Sequence, residues 1–198
     1  MKKLKDFKKL KKLGLLVCAL MLVGCGASKS DVFGEVSTVD TSVEGYTMSV
    51  PKDQEAKKIY NSQTFKVTKE KNDLYYVISS NKNPDSVAKL VTPENIQGYF
   101  SNDRNNALAS MLDDVRGNRI TRKAGGDPCE LAGYECIKYK GELDLSDDKG
   151  RKMKFASYNF FVDKDNKIPF EVLVASETAS DDLLDTAAKE IVKSINKK

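Results

Sequence analysis

The chain has 198 residues, with 33 Lys and Arg against 29 Asp and Glu and no histidine, for a formal net charge of +4. The missing imidazole excludes Ser-His-Asp and Cys-His nucleophile arrangements, histidine metal ligands and the usual general base. The basic excess sits in the first 24 residues, which hold seven Lys and one Asp; the remainder carries 26 basic against 28 acidic residues, a net charge of −2, so no basic footprint for nucleic acid is left.

Residues 1–24 read as a targeting segment. Lys2, Lys3, Lys5, Lys8, Lys9, Lys11 and Lys12 precede an apolar run over 13–24. That run is well short of the ~20 residues a permanent spanning helix needs. The lysines hold their end on the cytoplasmic side while the apolar core inserts. Leu22-Val23-Gly24-Cys25 closes the run and resembles a lipobox. The resemblance implies cleavage before Cys25 and a diacylglyceryl group on its sulfur. The protein is then a membrane lipoprotein of the cell envelope, lipid-anchored on the extracytoplasmic face. An ordinary secretory signal or an uncleaved anchor competes with this reading. The cleavable architecture and the correctly placed cysteine together favour the lipoprotein. Cys18, inside the apolar core, is a small hydrophobe there.

Residues 25–44 are expected to be the lipidated N-terminus and a flexible tether. Ala27-Ser28-Lys29-Ser30, Ser37-Thr38 and Thr41-Ser42 are small and polar. Such a spacer would reach roughly 25 Å on average. Residues 45–198 form one domain, long enough to bury ~70% of its extended surface in a single core.

Within that domain Tyr46, Met48 and Val50 alternate with polar residues, a half-buried strand ending at Pro51. Phe65 and Val67 suggest a second strand. The continuous apolar run over 74–78 is expected to be central and covered on both faces. Thr92 offers an N-cap and Pro93 a first helical position for a helix over 93–116, with Gly117 stopping it. Residues 118–123 suggest a short strand. Ile137, Tyr139, Leu143 and Leu145 share one strand face. The strand over 152–162 changes apolar phase near Ala156, which predicts either a bulge or a sheet covered on both sides. A strand over 170–175 follows. Ser180 caps a last helix whose stripe is Leu183, Leu184, Ala187, Ala188, Ile191, Val192 and Ile195.

Two cysteines remain in the domain. A two-residue turn at Ala132-Gly133 would place Cys129 opposite Cys136 in a hairpin, at a Cα separation of ~4.5–5.5 Å that a disulfide accepts. An extracytoplasmic compartment permits the bond. Two free thiols or a redox pair are the alternatives, and the absence of C-x-x-C spacing weighs against redox catalysis. Arg116, Arg119, Arg122 and Lys123 cluster among Asp113, Asp114 and Asp127 and read as a solvated face. Asp144, Ser146 and Asp148 superficially suggest a calcium loop. Glycine stands at the seventh position and no Glu at the twelfth, so a hairpin turn is the better reading. Tyr99, Phe100, Tyr158, Phe160 and Phe161 could line a pocket, but at this spacing core is expected.

The expected class is α+β, an antiparallel β-sheet flanked by α-helices. The start Gly45-Tyr46-Thr47-Met48-Ser49-Val50-Pro51, the turn Leu131-Ala132-Gly133-Tyr134 and the ending Phe170-Glu171-Val172-Leu173-Val174-Ala175 with Ile191-Val192-Lys193-Ser194-Ile195 resemble PsbP-like domains. These are α/β/α sandwiches shared with the Ran-binding Mog-type proteins and many bacterial lipoproteins. Relatives often place an aromatic just after the first Pro, where this chain has Lys52-Asp53-Gln54 and no Trp anywhere. The resemblance implies a non-catalytic binding or accessory domain, often acting on another protein, with no shared catalytic set. The expectation is therefore a protein-binding or accessory lipoprotein without cofactor or metal, whose partners are the membrane through Cys25 and another envelope protein. A small-ligand or envelope-polymer binder is the alternative, and a carboxylate-dependent hydrolase a third.

Overall fold

A central antiparallel sheet organises the computed structural model, which describes residues 29–30, 32–81 and 90–198. Residues 1–24, read from the sequence as a signal segment, with Cys18, and Cys25, the expected lipidation residue, lie outside the described residues. The strands before the first helix are β1 (Lys29–Ser30), β2 (Gly34–Asp40), β3 (Tyr46–Pro51), β4 (Lys57–Ile59), β5 (Ser62–Lys69) and β6 (Asn72–Ser80). Helices α1 (Ile96–Tyr99) and α2 (Ser101–Ala109) follow. Then come β7 (Thr121–Leu131), β8 (Tyr134–Asp144), β9 (Lys152–Asp163), β10 (Ile168–Ser176), α3 (Asp181–Ser194) and β11 (Asn196–Lys197). The large sheet runs β4-β5-β6-β10-β9-β8-β7, and a small one runs β1-β2-β3-β11. The fold is α+β, with helices on both faces of an antiparallel sheet.

The centre of the sheet is where the sequence is most continuously apolar. Residues 74–80 of β6 and 169–176 of β10 are buried without interruption, as a strand covered on both faces must be. Strand β9 behaves the same way over 155–160. Double coverage therefore explains the phase change near Ala156. The register irregularity of this hairpin lies elsewhere, between Ile168 and Pro169. One face packs against α3 and β3, through Met48, Val50, Tyr76, Phe160, Phe170 and Ile191 among others. The other packs against α2 through Val77, Leu108, Phe155 and Leu173. Helix α3 forms as its caps dictate. Ser180 Oγ accepts from Leu183 N–H at 3.2 Å, and the buried stripe is Leu184, Ala187, Ala188, Ile191 and Val192.

Three segments depart from the sequence expectation. The first is the tether assigned to 25–44. Within its described part, β2 pairs with β3 from Val36 opposite Pro51 to Asp40 opposite Thr47. Val32 and Val43 are buried, and the Phe33 ring meets those of Phe65 and Tyr76 edge-on. Val32 N–H also donates to the Glu190 carboxylate at 3.1 Å. A few apolar side chains among many small polar ones are enough to dock a strand when a sheet edge and an aromatic cluster await them. Averaged composition does not register them.

The second is the helix expected over 93–116, which is two short helices broken at Phe100 and ends near Ala109. Its middle, Ser101-Asn102-Asp103-Arg104-Asn105-Asn106, is rich in residues whose side chains compete for backbone hydrogen bonds. Beyond it Asp114 takes a positive φ of 62° and the chain doubles back. A Cβ on Gly117 would lie 2.2 Å from Asn106 Oδ1 and 2.8 Å from its backbone, so only glycine fits this return.

The third is β7, expected over 118–123 and found over Thr121–Leu131. Gly125-Gly126-Asp127-Pro128 looks like a loop, yet an edge strand tolerates proline because one side of its ladder needs no donor. The turn after it is tight. Ala132 and Gly133 have φ of 53° and 80°, the left-handed pair that a two-residue hairpin loop requires.

Candidate functional site

The sheet face beneath α1 and α2 carries a belt of polar side chains where hydrocarbon is the norm. Glu171 sits in the middle of β10, fully buried, directly across from Ser79 on β6 and Asn159 on β9. Arg104 descends on it from α2. Its Nη1 donates to Glu171 Oε1 and Oε2 at 3.2 and 3.1 Å, and to the Gln97 carbonyl at 2.9 Å. Arg122 approaches from β7. Its Nη1 donates to Glu171 Oε1 at 2.7 Å and its Nη2 to Ser157 Oγ at 2.8 Å. The side chains of Arg104, Arg122 and Glu171 are only 4%, 9% and 0% exposed. Farther along the belt the Ser62 and Ser79 hydroxyls bond each other at 2.7 Å.

The electrostatics follow from this burial. Desolvation pushes Arg122 below the usual guanidinium value, and the Glu171 carboxylate opposes that shift. The guanidinium also lies over the rings of Phe155 and Tyr139, at 4.3 and 5.1 Å from their centroids. Cation–π contact of this kind favours the charged form in place of water. Tyr139 in turn donates its hydroxyl to the Glu94 carbonyl at 2.7 Å. The cluster holds two positive charges on one negative charge. Both amide atoms of Asn159, and Arg122 Nε, are buried without a hydrogen-bond partner among the described residues. An unsatisfied buried group costs about 1–3 kcal/mol. Chemically, the arrangement clamps a carboxylate between guanidiniums and ties a helical layer to the sheet.

A second cluster lies on the opposite face. Asp185 on α3 accepts from Tyr158 Oη at 2.7 Å and pairs with Lys138 Nζ at 2.6 Å and Lys189 Nζ at 2.9 Å. Burial opposes its ionisation, but the hydrogen bonds from Lys138, Lys189 and Tyr158 outweigh burial and hold its pKa down at about 2. Burial and the Asp185 carboxylate push the Tyr158 phenol well above its ordinary value.

The residues singled out from the sequence are scattered. Cys129 and Cys136 are directly opposed on β7 and β8 and are joined as a disulfide, with Cα atoms 5.0 Å apart. Arg116, Arg119 and Lys123 are exposed, in keeping with a solvated face, whereas Arg122 belongs to the buried cluster. Arg116 and Arg119 line a 460 Å³ cleft with Asp114, Asp147, Asp148 and Lys149. The calcium-like segment is a hairpin loop: Asp144 Oδ1 accepts from Ser146 N–H at 2.8 Å, and Asp147 Oδ1 from Arg151 N–H at 2.9 Å. No group of three or more Cys, Asp or Glu is placed to hold a metal ion among the described residues. Phe100, Tyr158 and Phe160 are core, and Tyr99 and Phe161 pack at its margin.

The buried cluster was not anticipated, though one signal pointed to it. Glu171 interrupts the apolar run Phe170-Glu171-Val172-Leu173-Val174. A charge inside a doubly covered strand must have a partner. Nothing in the local pattern of Arg104 or Arg122 names them as that partner.

Comparison with known proteins gives a structural likeness and no family. No family model matches the chain, and no curated protein matches it. The solution structure of cyanobacterial PsbP (CyanoP) from Synechocystis sp. PCC 6803 is similar at a TM-score of 0.46 and 14% sequence identity, covering 89% of this chain and 99% of that one. Among the described residues no helix is long and apolar enough to cross a membrane.

Proposed function

We propose that this chain is an extracytoplasmic lipoprotein, held to the membrane by diacylglyceryl-Cys25, whose folded domain acts as a non-catalytic protein-binding or accessory module. The observation that carries it is Leu22-Val23-Gly24-Cys25 behind a lysine-rich start. Two acyl chains anchor durably because each buried methylene contributes ~0.8 kcal/mol and one chain alone is marginal. The position of Val32, the first buried residue among those described, supports close tethering. Val32 is seven positions from Cys25, a reach of at most ~25 Å. The domain then works near the headgroups, within reach of membrane-proximal envelope proteins. The absence of histidine from the sequence supports the non-catalytic part.

The polar cleft at Arg116, Arg119, Asp148 and Lys149 favours a second reading, a binder of a small polar ligand or envelope polymer. The test is fractionation of cells expressing the wild type and Cys25→Ser, with labelled palmitate, followed by site-specific photo-crosslinking from the domain surface. The wild type should partition with membranes and incorporate label, and Cys25→Ser should do neither. Recovery of unlabelled, soluble wild-type protein starting after another residue would sink the anchor. Crosslinks to polysaccharide alone would favour the second reading.

A further inference from the structure

We infer that α1 and α2 form a lid that opens as a unit over the polar face of the sheet while the rest of the domain stays folded. Local opening depends on how much apolar surface it exposes and on which polar groups it leaves unpaired. The lid's buried side is mixed: Ile96, Phe100, Ala107 and Leu108 are fully buried, but they sit beside the charged Arg104 and over a polar stretch of sheet. Helix α2 is Ser-Asn-Asp-Arg-Asn-Asn-Ala-Leu-Ala, and its buried residues are Arg104, Ala107 and Leu108. Helix α1 contributes Ile96, with Phe100 at the break, packed with Val91 and Phe161. On the other face α3 buries Leu184, Ala187, Ala188, Ile191 and Val192 within the larger core cluster.

The surface under the lid is already prepared for water. When Arg104 leaves with α2, Glu171 keeps Arg122 at 2.7 Å, so no buried carboxylate is stranded. Ser157 keeps its bond to Arg122, and Ser62 and Ser79 keep each other. Opening gives the Asn159 amide, unpartnered among the described residues, access to solvent. One guanidinium on the carboxylate suffices for neutrality; the second acts as a releasable latch. Further ties from lid to body are the apolar contacts of Phe100 and Leu108 and hydrogen bonds: Asn61 to Asp103 at 2.8 Å, Asn105 to the Ile120 carbonyl at 3.1 Å, Tyr139 to the Glu94 carbonyl at 2.7 Å, and Asn81 with Tyr99. On the C-terminal side the chain can pivot between Ser110 and Gly117, where the helix has ended and Asp114 holds a positive φ.

Hydrogen–deuterium exchange of the full chain, read by mass spectrometry at neutral pH, tests this. Protection factors over 96–109 should be on the order of a hundredfold lower than those over 183–194 and 74–78. Ile191→Val removes a methylene from a contact that the lid-open state keeps, so it should lower protection over 183–194 by up to about tenfold and leave 96–109 unchanged. Equal protection of lid and α3 in the wild type would overturn the inference, because the lid would then open only by global unfolding. So would Ile191→Val lowering protection equally in both segments.

Discussion

The two faces of the sheet are closed by different physics. Under α3 the contact is hydrocarbon: the helix presents a continuous stripe to Met48, Tyr76, Phe160 and Phe170. A polar knot at Asp185 sits toward the rim. Under α1 and α2 the sheet offers Ser62, Ser79, Ser157, Asn159 and Glu171, all fully buried, and the cover is fastened through Arg104. Apolar burial is non-directional and gains about 25 cal/mol per Å². A buried ion cluster is directional and roughly breaks even against desolvation, while loss of one member is severe. One face is therefore held mainly by non-directional burial, while the other adds a directional ionic fastening to its apolar contacts.

Mutation separates the two. The largest effect should come from the α3 face. Ile191→Asp removes a fully buried side chain, which contributes roughly 1.5–3 kcal/mol. It also places a carboxylate in hydrocarbon at a further cost of several kcal/mol. No cooperative urea transition by circular dichroism is expected. A folded variant within 1 kcal/mol (about fivefold in equilibrium constant) of the wild type would show that α3 is dispensable to the core.

Glu171→Gln comes next. It leaves two buried guanidiniums facing a neutral amide, and about 3–5 kcal/mol should be lost. Arg104→Met leaves a neutral Arg122–Glu171 pair and should cost less, about 1.5–3 kcal/mol. Equal costs in urea melts would mean that Arg122 does not compensate the carboxylate, and the distinction between the faces would blur.

The disulfide bears on the sheet edge beyond both faces. Cys129 and Cys136 are separated by seven positions, so a closed loop this short contributes about 2 kcal/mol. Non-reduced peptide mapping should recover the cystine-linked pair, and Cys129→Ser with Cys136→Ser should lower stability by about that amount. Two alkylatable thiols in freshly purified protein would refute the bridge.

The smallest effect belongs to Asp185, with a pKa held at about 2. A carboxylate with a depressed folded pKa stabilises the native state above its unfolded value of ~3.9 and loses that contribution as pH falls toward 2. Allowing for solvent screening at this rim position, about 1 kcal/mol is at stake. The gap between the wild type and Asp185→Asn should be constant from pH 5 to 7 and close as pH drops to 2. A gap that persists at pH 2 would assign the effect to packing.

Periodicity and caps in the sequence determined the strands around Tyr46, Leu74, Ile137 and Phe170, the Ser180-capped helix and the register that opposes Cys129 and Cys136. Each of these depends on neighbours within a few residues: alternation, an N-cap oxygen, a two-residue turn. The lysine-rich start and Cys25, on which the proposed anchor rests, are likewise local signals. Only the tertiary structure decided what depends on distant partners. It drew 34–40 into a strand against β3, split the helix after Tyr99, and kept Gly125-Gly126 in an edge strand. It also brought Arg104 and Arg122 onto Glu171 across 67 and 49 residues of sequence. A lone glutamate in an apolar run declares that a counter-charge exists. Which arginine supplies it depends on strand order and helix placement, and these are set by how the whole core packs.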